Sequence, residues 1–360
     1  MHKEGLFACF PRATRARYQT LIRLFSSLDS AWQANAKELS ATQWDTALIA
    51  AFIRWREQLN ETEIEKQLAQ EQIQVISIHQ PEYPKEFLVL NDAPFCLFIR
   101  GGLSHLPRLA VVGPRKPSAY AKHITQQFVK ELVTNHQLSI VSGLAFGVDS
   151  IAHQTAITHG GHTIAVVPGG VNNHGIAPQK HLPLAENILS HQGALISEKP
   201  INAPITPYAF PERNRIIAAL SQATLVIEAA QTSGALITAS YALEQGKDVL
   251  AIPQNITSET SIGVNRLISQ GAQVIQQVDD IVSLLGLRTK KEQQTPPKRM
   301  PSDPFHAKLF SYLDPEIPMH IDDMLRAFPE KKSIIASSLT LLELQQFITQ
   351  IGGMHYIQKR

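Results

Sequence analysis

Along the first 75 positions apolar residues recur three and four apart, the spacing of one helix face. Leu21, Ile22, Leu24, Phe25 and Leu28 follow it, as do Ala47, Leu48, Ala51, Phe52 and Trp55. A connection bearing Pro81, Pro84 and Pro94 leads into a strand-like run at 95–99. From Arg108 the rhythm changes to short, mostly apolar runs at 109–112, 138–141, 163–167, 194–196, 225–227, 249–252 and 273–275. Amphipathic stretches of helical length separate most of them. Strands alternating with helices need crossover connections, which predicts an α/β fold with a doubly wound, mostly parallel, Rossmann-like sheet covered on both faces.

Residues 288–304 are polar and rich in proline, the composition of a linker. Beyond them the pattern predicts helices at 305–313, 320–327 and 331–346, then two strands turning at Gly352-Gly353. Three helices and a terminal hairpin are the plan of a winged helix. Its recognition-helix candidate, residues 333–346, carries Leu339, Leu341, Leu342 and Leu344 but no arginine or lysine, which argues against strong duplex binding and leaves a protein contact open. The expected organisation is a helical N-terminal domain (1–80), a Rossmann-like domain with its lead-in segment (81–287), a linker (288–304) and a winged-helix-like domain (305–360).

Composition narrows the class. With 44% hydrophobic and 18% charged residues the chain is globular rather than disordered. A net charge of +2 excludes a uniformly basic nucleic-acid coat but allows a local patch, and 14 basic against 11 acidic residues between 105 and 291 put any such patch in the middle. Two cysteines, Cys9 and Cys96, supply neither a disulfide framework nor a cysteine-rich zinc site, which points to a reducing compartment. No leader pattern and no run of 18 apolar residues is present, so the expected location is the cytoplasm, without membrane contact.

Ligands of doubly wound sheets bind outside the carboxyl ends of the strands, so the chemistry is sought in those loops. The first strand of the parallel set runs into Gly113-Pro-Arg-Lys-Pro-Ser118, with Arg115 and Lys116 for charge and Ser118 as an N-cap. The next leads to Ser142-Gly-Leu-Ala-Phe-Gly-Val-Asp149, where Gly143 and Gly147 make a tight turn and Asp149 is a capping candidate. Glu228 precedes Thr232, Ser233 and Gly234, with Thr238 one turn into the following helix. Phe210-Pro-Glu-Arg-Asn-Arg-Ile-Ile217 places Asn214 between Arg213 and Arg215; a helix splays residues two apart, whereas a turn entering a helix aims both at one anion. Together the loops form a polar, phosphate-friendly rim. Catalytic patterns are weaker: the six histidines from His153 to His191 lack metal-ligand spacing, Asp149 and Glu228 are candidates for a carboxylate pair whose separation the sequence does not fix, and Ser142 lacks the hydrolase elbow.

The ordered series Val112-Gly-Pro-Arg115, Ser142-Gly-Leu-Ala145, Gly147-Val-Asp149, Ala152-His153, 210–217, Glu228-Ala229, 233–239, 242–246 and Gly263-Val-Asn-Arg-Leu-Ile268 resembles the DNA processing protein A family (DprA, also called Smf). The resemblance implies a single-stranded DNA-binding protein that protects incoming strands in natural transformation, helps load RecA and works as a homodimer, with no catalysis, cofactor or metal. It makes Arg115 the leading strand contact, followed by Lys116, Arg213, Asn214 and Arg215. Gly113, Gly143, Gly147, Ser233, Gly234, Thr238 and Asn265 would shape the groove. Pro114, Ala121, Phe146 and Gln254 depart from the family pattern; Phe146 replaces a common arginine and offers a stacking face instead. The alternative is a nucleoside monophosphate phosphoribohydrolase, whose Pro-Gly-Gly turn occurs at Pro168–Gly170. Here Val171-Asn-Asn173 follows, in place of the Gly-Thr and catalytic glutamate.

Overall fold

Thr14, Ser27, Asn35, Asp45 and Asn60 each accept a hydrogen bond from a backbone N–H of the turn that follows, the side-chain chemistry that starts helices. They open α2 (Arg15–Phe25), α3 (Leu28–Gln33), α4 (Ala36–Leu39), α5 (Thr46–Gln58) and α6 (Glu61–Gln70), which follow α1 (Lys3–Ala8). Phe7, Phe10, Leu21, Trp32, Leu39 and Phe52 bury the shared face. This computed structural model describes residues 2–287, 300–314 and 318–359; most of the expected linker lies outside them. The helical reading of the first 75 residues overruns. Gln72 adopts a left-handed φ of 54° and the chain enters β1 (Ile73–Ser77), a short strand with no glycine or proline to announce it.

β1 pairs antiparallel with β2 (Cys96–Gly101), which pairs antiparallel with the edge of the main sheet. The seven apolar runs all become strands: β3 (Arg108–Val112), β4 (Ser139–Ser142), β5 (Thr163–Val166), β6 (Ala194–Ser197), β7 (Ala223–Val226), β8 (Asp248–Ala251) and β9 (Gln273–Val274). Their order is β1-β2-β6-β5-β4-β3-β7-β8-β9, parallel from β6 to β9. The crossovers carry α7 (Ala119–Asn135), α8 (Val148–Thr158), α9 (Leu182–Ser190), α10 (Ala209–Leu220), α11 (Gly234–Glu244) and α12 (Ile262–Ser269), and α13 (Val278–Leu284) follows the last strand. Strand residues alternate between two cores. Leu109 and Val111 pack with Phe128, Leu132, Ala152 and Ile281 on one face. Ala110 and Val112 pack with Ile216, Ala239 and Val264 on the other.

The chain lays β4, β5 and β6 to one side of β3, then crosses back to place β7 on the other. The carboxyl ends of β3 and β7 thus border the switch point, where flanking loops part and leave a crevice. The described residues from 300 onward belong to a second compact unit. It contains α14 (Pro304–Tyr312), β10 (Met319–His320), α15 (Ile321–Ala327), α16 (Lys332–Leu344), β11 (Ile348–Gly352) and β12 (His355–Gln358). Its sheet runs β10-β12-β11 over a core that includes Leu309, Met324, Leu339 and Leu342, a winged-helix plan with one strand more than the hairpin expected. Among the described residues no helix is long and apolar enough to cross a membrane.

Candidate nucleic-acid interface

At the switch point lies a cavity of about 720 Å³, bordered by the loops after β3, β4 and β7 and by the first turns of α10 and α11. A buried carboxylate ties together the segments beside it. Glu228 accepts the Ser118 N–H at 2.9 Å and the Thr260 hydroxyl at 2.6 Å, tying the β3 loop to the segment before α12. Ser118 then caps α7, accepting the Ala121 N–H at 3.1 Å as its position in the sequence predicts. The β3 and β4 loops are stitched together. Val148 N–H donates to the Pro114 carbonyl at 3.2 Å, and a Cβ on Gly113 would stand 2.5 Å from Val148 Cγ2. Gly147 takes a φ of 82° against the backbone of Pro114 and Arg115. These two glycines serve loop-to-loop contact, while Gly234 faces open space at the cavity.

Asp149 is buried and does not cap α8; its carboxylate accepts from Gly143 N–H at 3.1 Å and Ala145 N–H at 3.3 Å, bracing its own loop. Burial pushes its carboxyl above its usual value, against the pull of Arg213. Arg213 contributes to the cavity wall, but its guanidinium donates to the carbonyls of Gly143 and Val166 and the residue is only 5% exposed. Burial draws its pKa down to about 10, with Asp149 opposing the shift. Gly143 has no room for a side chain because Arg213 Cζ would lie 2.6 Å from its Cβ.

Helix α10 begins at Ala209, so Pro211 falls inside the first turn, where its missing N–H costs no hydrogen bond. The two arginines therefore splay. Arg215 turns away from the cavity to pair with Asp92 through Nε at 3.0 Å and with Glu198 through Nη2 at 2.5 Å. Asn265 also lies off the cavity, where it clasps the backbone N–H and carbonyl of Gln254 at 3.3 and 3.2 Å. Gln254 itself donates to the Ile227 carbonyl at 2.8 Å, a structural use of that residue.

What remains open at the cavity is compact. Arg115 is exposed, its Cζ 5.5 Å from the ring centroid of Phe210, and among the described residues no carboxylate pairs with it. Lys116 is exposed beside it but does not line the cavity. Half-buried Asn214 reaches the Gly234 carbonyl at 3.4 Å, Ser233 caps α11 through the Ala235 N–H at 3.3 Å, and Thr238 is buried in the wall. Sequence reasoning missed the apolar wall made by Ile205, Pro207, Phe210 and Ile237. The only signal was a cluster of hydrophobic residues with no periodic partner, of which Tyr208 is 78% exposed.

The features that suggested enzymes are occupied elsewhere. None of 168–173 lines the cavity. Asn172 Nδ2 donates to Asn202 at 3.0 Å, and Asn173 accepts from Arg100 at 2.6 Å while its N–H reaches Glu71 at 2.9 Å. His153 is buried with Nδ1 2.7 Å from the Thr163 hydroxyl, which spends its own proton on Ile140; burial lowers the imidazole pKa to about 3 and keeps it neutral. Among the described residues no three His, Cys, Asp or Glu side chains gather as a metal-holding group.

The family model described as DNA recombination-mediator protein A matches residues 74–286. Protein Smf of Escherichia coli is 43% identical over 205 residues, which cover 56% of this chain and 54% of that protein, about half its length. DNA processing protein DprA of Streptococcus pneumoniae is 34% identical over 236 residues, 65% of this chain and 81% of that protein. The X-ray structure of DNA processing protein A from Streptococcus pneumoniae superposes with a TM-score of 0.66 at 29% identity, covering 77% of this chain and 95% of that one. DNA processing protein A from Helicobacter pylori, whose structure is described as showing a unique single-stranded DNA binding mode, gives 0.52 at 28% identity, covering 59% and 95%.

Proposed function

The chain belongs to the DNA recombination-mediator protein A (DprA/Smf) family, and from that premise we propose that it binds single-stranded DNA at the carboxyl end of its parallel sheet. In this reading it protects incoming strands during natural transformation, helps load RecA, acts as a cytoplasmic homodimer and performs no catalytic turnover. The observation that carries the binding site is Arg115. It is an exposed cation beside a 720 Å³ cavity, stacked near Phe210 and left without an acidic partner among the described residues. Around it Ser233, Gly234 and Asn214 supply small or polar lining, so a phosphodiester can approach closely. Lys116 adds a second exposed charge on the same loop.

Such binding releases counterions condensed on the strand and weakens steeply with salt. Fluorescence anisotropy of a labelled single-stranded oligonucleotide over a salt series, with duplex as competitor, tests it. Tight, salt-sensitive binding that duplex does not displace is expected. No binding at low salt overturns the reading, and release of free base from a nucleotide by the pure protein would revive the enzymatic one.

A further inference from the structure

We propose that Phe146, on the loop between β4 and α8, is a nucleobase-stacking subsite that extends the strand-binding surface beyond the cavity. The inference rests on the single-stranded DNA reading above. Phe146 is 42% exposed although Leu144 and Val148 on either side are fully buried. Its ring meets His181 with centroids 4.6 Å apart and planes at 66°. An edge contact of that kind covers one ring face at most and leaves the other to solvent.

The platform is rigid. His181 Nδ1 lies 2.7 Å from the Leu144 carbonyl oxygen, which can only accept, so Nδ1 carries the proton and the ring orientation is set. The same bond holds Leu144 at a φ of 56°, a left-handed conformation that a leucine adopts only under constraint from its surroundings. Asp149 braces the loop from inside through Gly143 and Ala145. A half-exposed aromatic side chain held this way loses little freedom when a base covers it.

Its position suits a strand. Ala145, the residue before, lines the cavity. Gly147, the residue after, packs so closely on the Arg115 loop that a Cβ there would stand 2.7 Å from the Arg115 carbonyl oxygen. A phosphate neutralised by Arg115 brings the neighbouring nucleotide to this loop. The ligand class is an unpaired nucleobase: stacking tolerates every base, whereas duplex bases already have their faces covered.

The test compares wild-type protein with Phe146→Ala and Phe146→Trp in anisotropy titrations of two labelled strands, one of unmodified deoxyadenylate and one wholly abasic. Phe146→Ala is expected to bind the unmodified strand roughly 5- to 150-fold more weakly, with an unchanged salt slope, and the abasic strand as wild type does. Phe146→Trp should retain affinity and show tryptophan quenching on adding DNA, beyond any change at the three native tryptophans. Equal affinity of wild type and Phe146→Ala for the unmodified strand, with no quenching in Phe146→Trp, overturns the subsite and leaves the strand-binding reading intact. Absence of wild-type binding to either strand overturns both.

Discussion

Arg115 and Arg213 line the same cavity, yet they answer to different physics. Arg115 stands on a loop tied down at Pro114 and Ser118, with an aromatic ring beside it and its side chain exposed. Arg213 projects from α10 into the ends of β4 and β5, where two carbonyls take its protons and a buried carboxylate balances its charge. The first arginine has hydrogen-bonding capacity to offer a ligand. The second is buried, and its Nη1 is committed to holding the loops in shape. Acceptors placed around a guanidinium by the fold, rather than its presence in a motif, decide whether it recognises or supports.

The comparison is broken most directly by removing the supporting arginine. Arg213→Ala leaves the carbonyls of Gly143 and Val166 and the carboxylate of Asp149 without their partner in a buried setting, and should cost ~3 kcal/mol in chemical denaturation. If Arg213→Ala unfolds at the wild-type denaturant midpoint, the supporting role is wrong. His153 beneath it makes the same point through pH. Burial, helped by Arg213, holds its folded pKa near 3, below the ordinary value of 6.5 that applies once the chain unfolds. The unfolded chain therefore takes up a proton that the folded one refuses. Stability should fall with acidity between those two values, by up to ~1.4 kcal/mol per pH unit from this group. Asp149, whose carboxyl is pushed up, acts in the opposite sense at the acid end. A His153→Gln variant in parallel urea titrations isolates the histidine, and an unaltered acid dependence there would contradict its buried neutrality.

At the recognising arginine the expected effect is on binding. Arg115→Ala should weaken single-stranded DNA about tenfold at low salt, the worth of one charge-assisted hydrogen bond, and leave thermal stability nearly unchanged. Arg215→Ala should do the reverse on a smaller scale. It removes the Arg215 pairs with Glu198 and Asp92 away from the cavity, so a loss of roughly 1 kcal/mol of stability with unchanged DNA affinity is expected. A matching loss of affinity would return Arg215 to the strand-binding surface.

The central strand runs of the parallel sheet were legible because they are short apolar stretches buried on both faces, which leaves little else for them to be; β9 at the edge, with both residues exposed, is the exception. β1 was hidden because its five residues follow a helix without punctuation and its alternation is too short to read. In the site, Ser118 and Ser233 were legible as caps because capping is local chemistry. The fates of Arg213 and Arg215 were not. Their acceptors at Gly143, Val166, Glu198 and Asp92 come from distant stretches of chain that only the sheet order brings near. Gly143 and Gly147 read as a tight turn shaping the groove; the fold adds that the space beside them is filled by a guanidinium and a neighbouring loop. Phe210 was read for its place in a motif, and only the fold shows it under Arg115.

The most direct test of the division between the two arginines is the salt dependence of single-stranded DNA affinity for wild type, Arg115→Ala and Arg213→Gln, measured where circular dichroism shows all three folded. Loss of one phosphate contact flattens the slope of log K against log salt by about 0.7. Arg115→Ala should show that flattening, while Arg213→Gln keeps the wild-type slope whatever its affinity. A flattened slope in Arg213→Gln with an unchanged slope in Arg115→Ala would contradict the account.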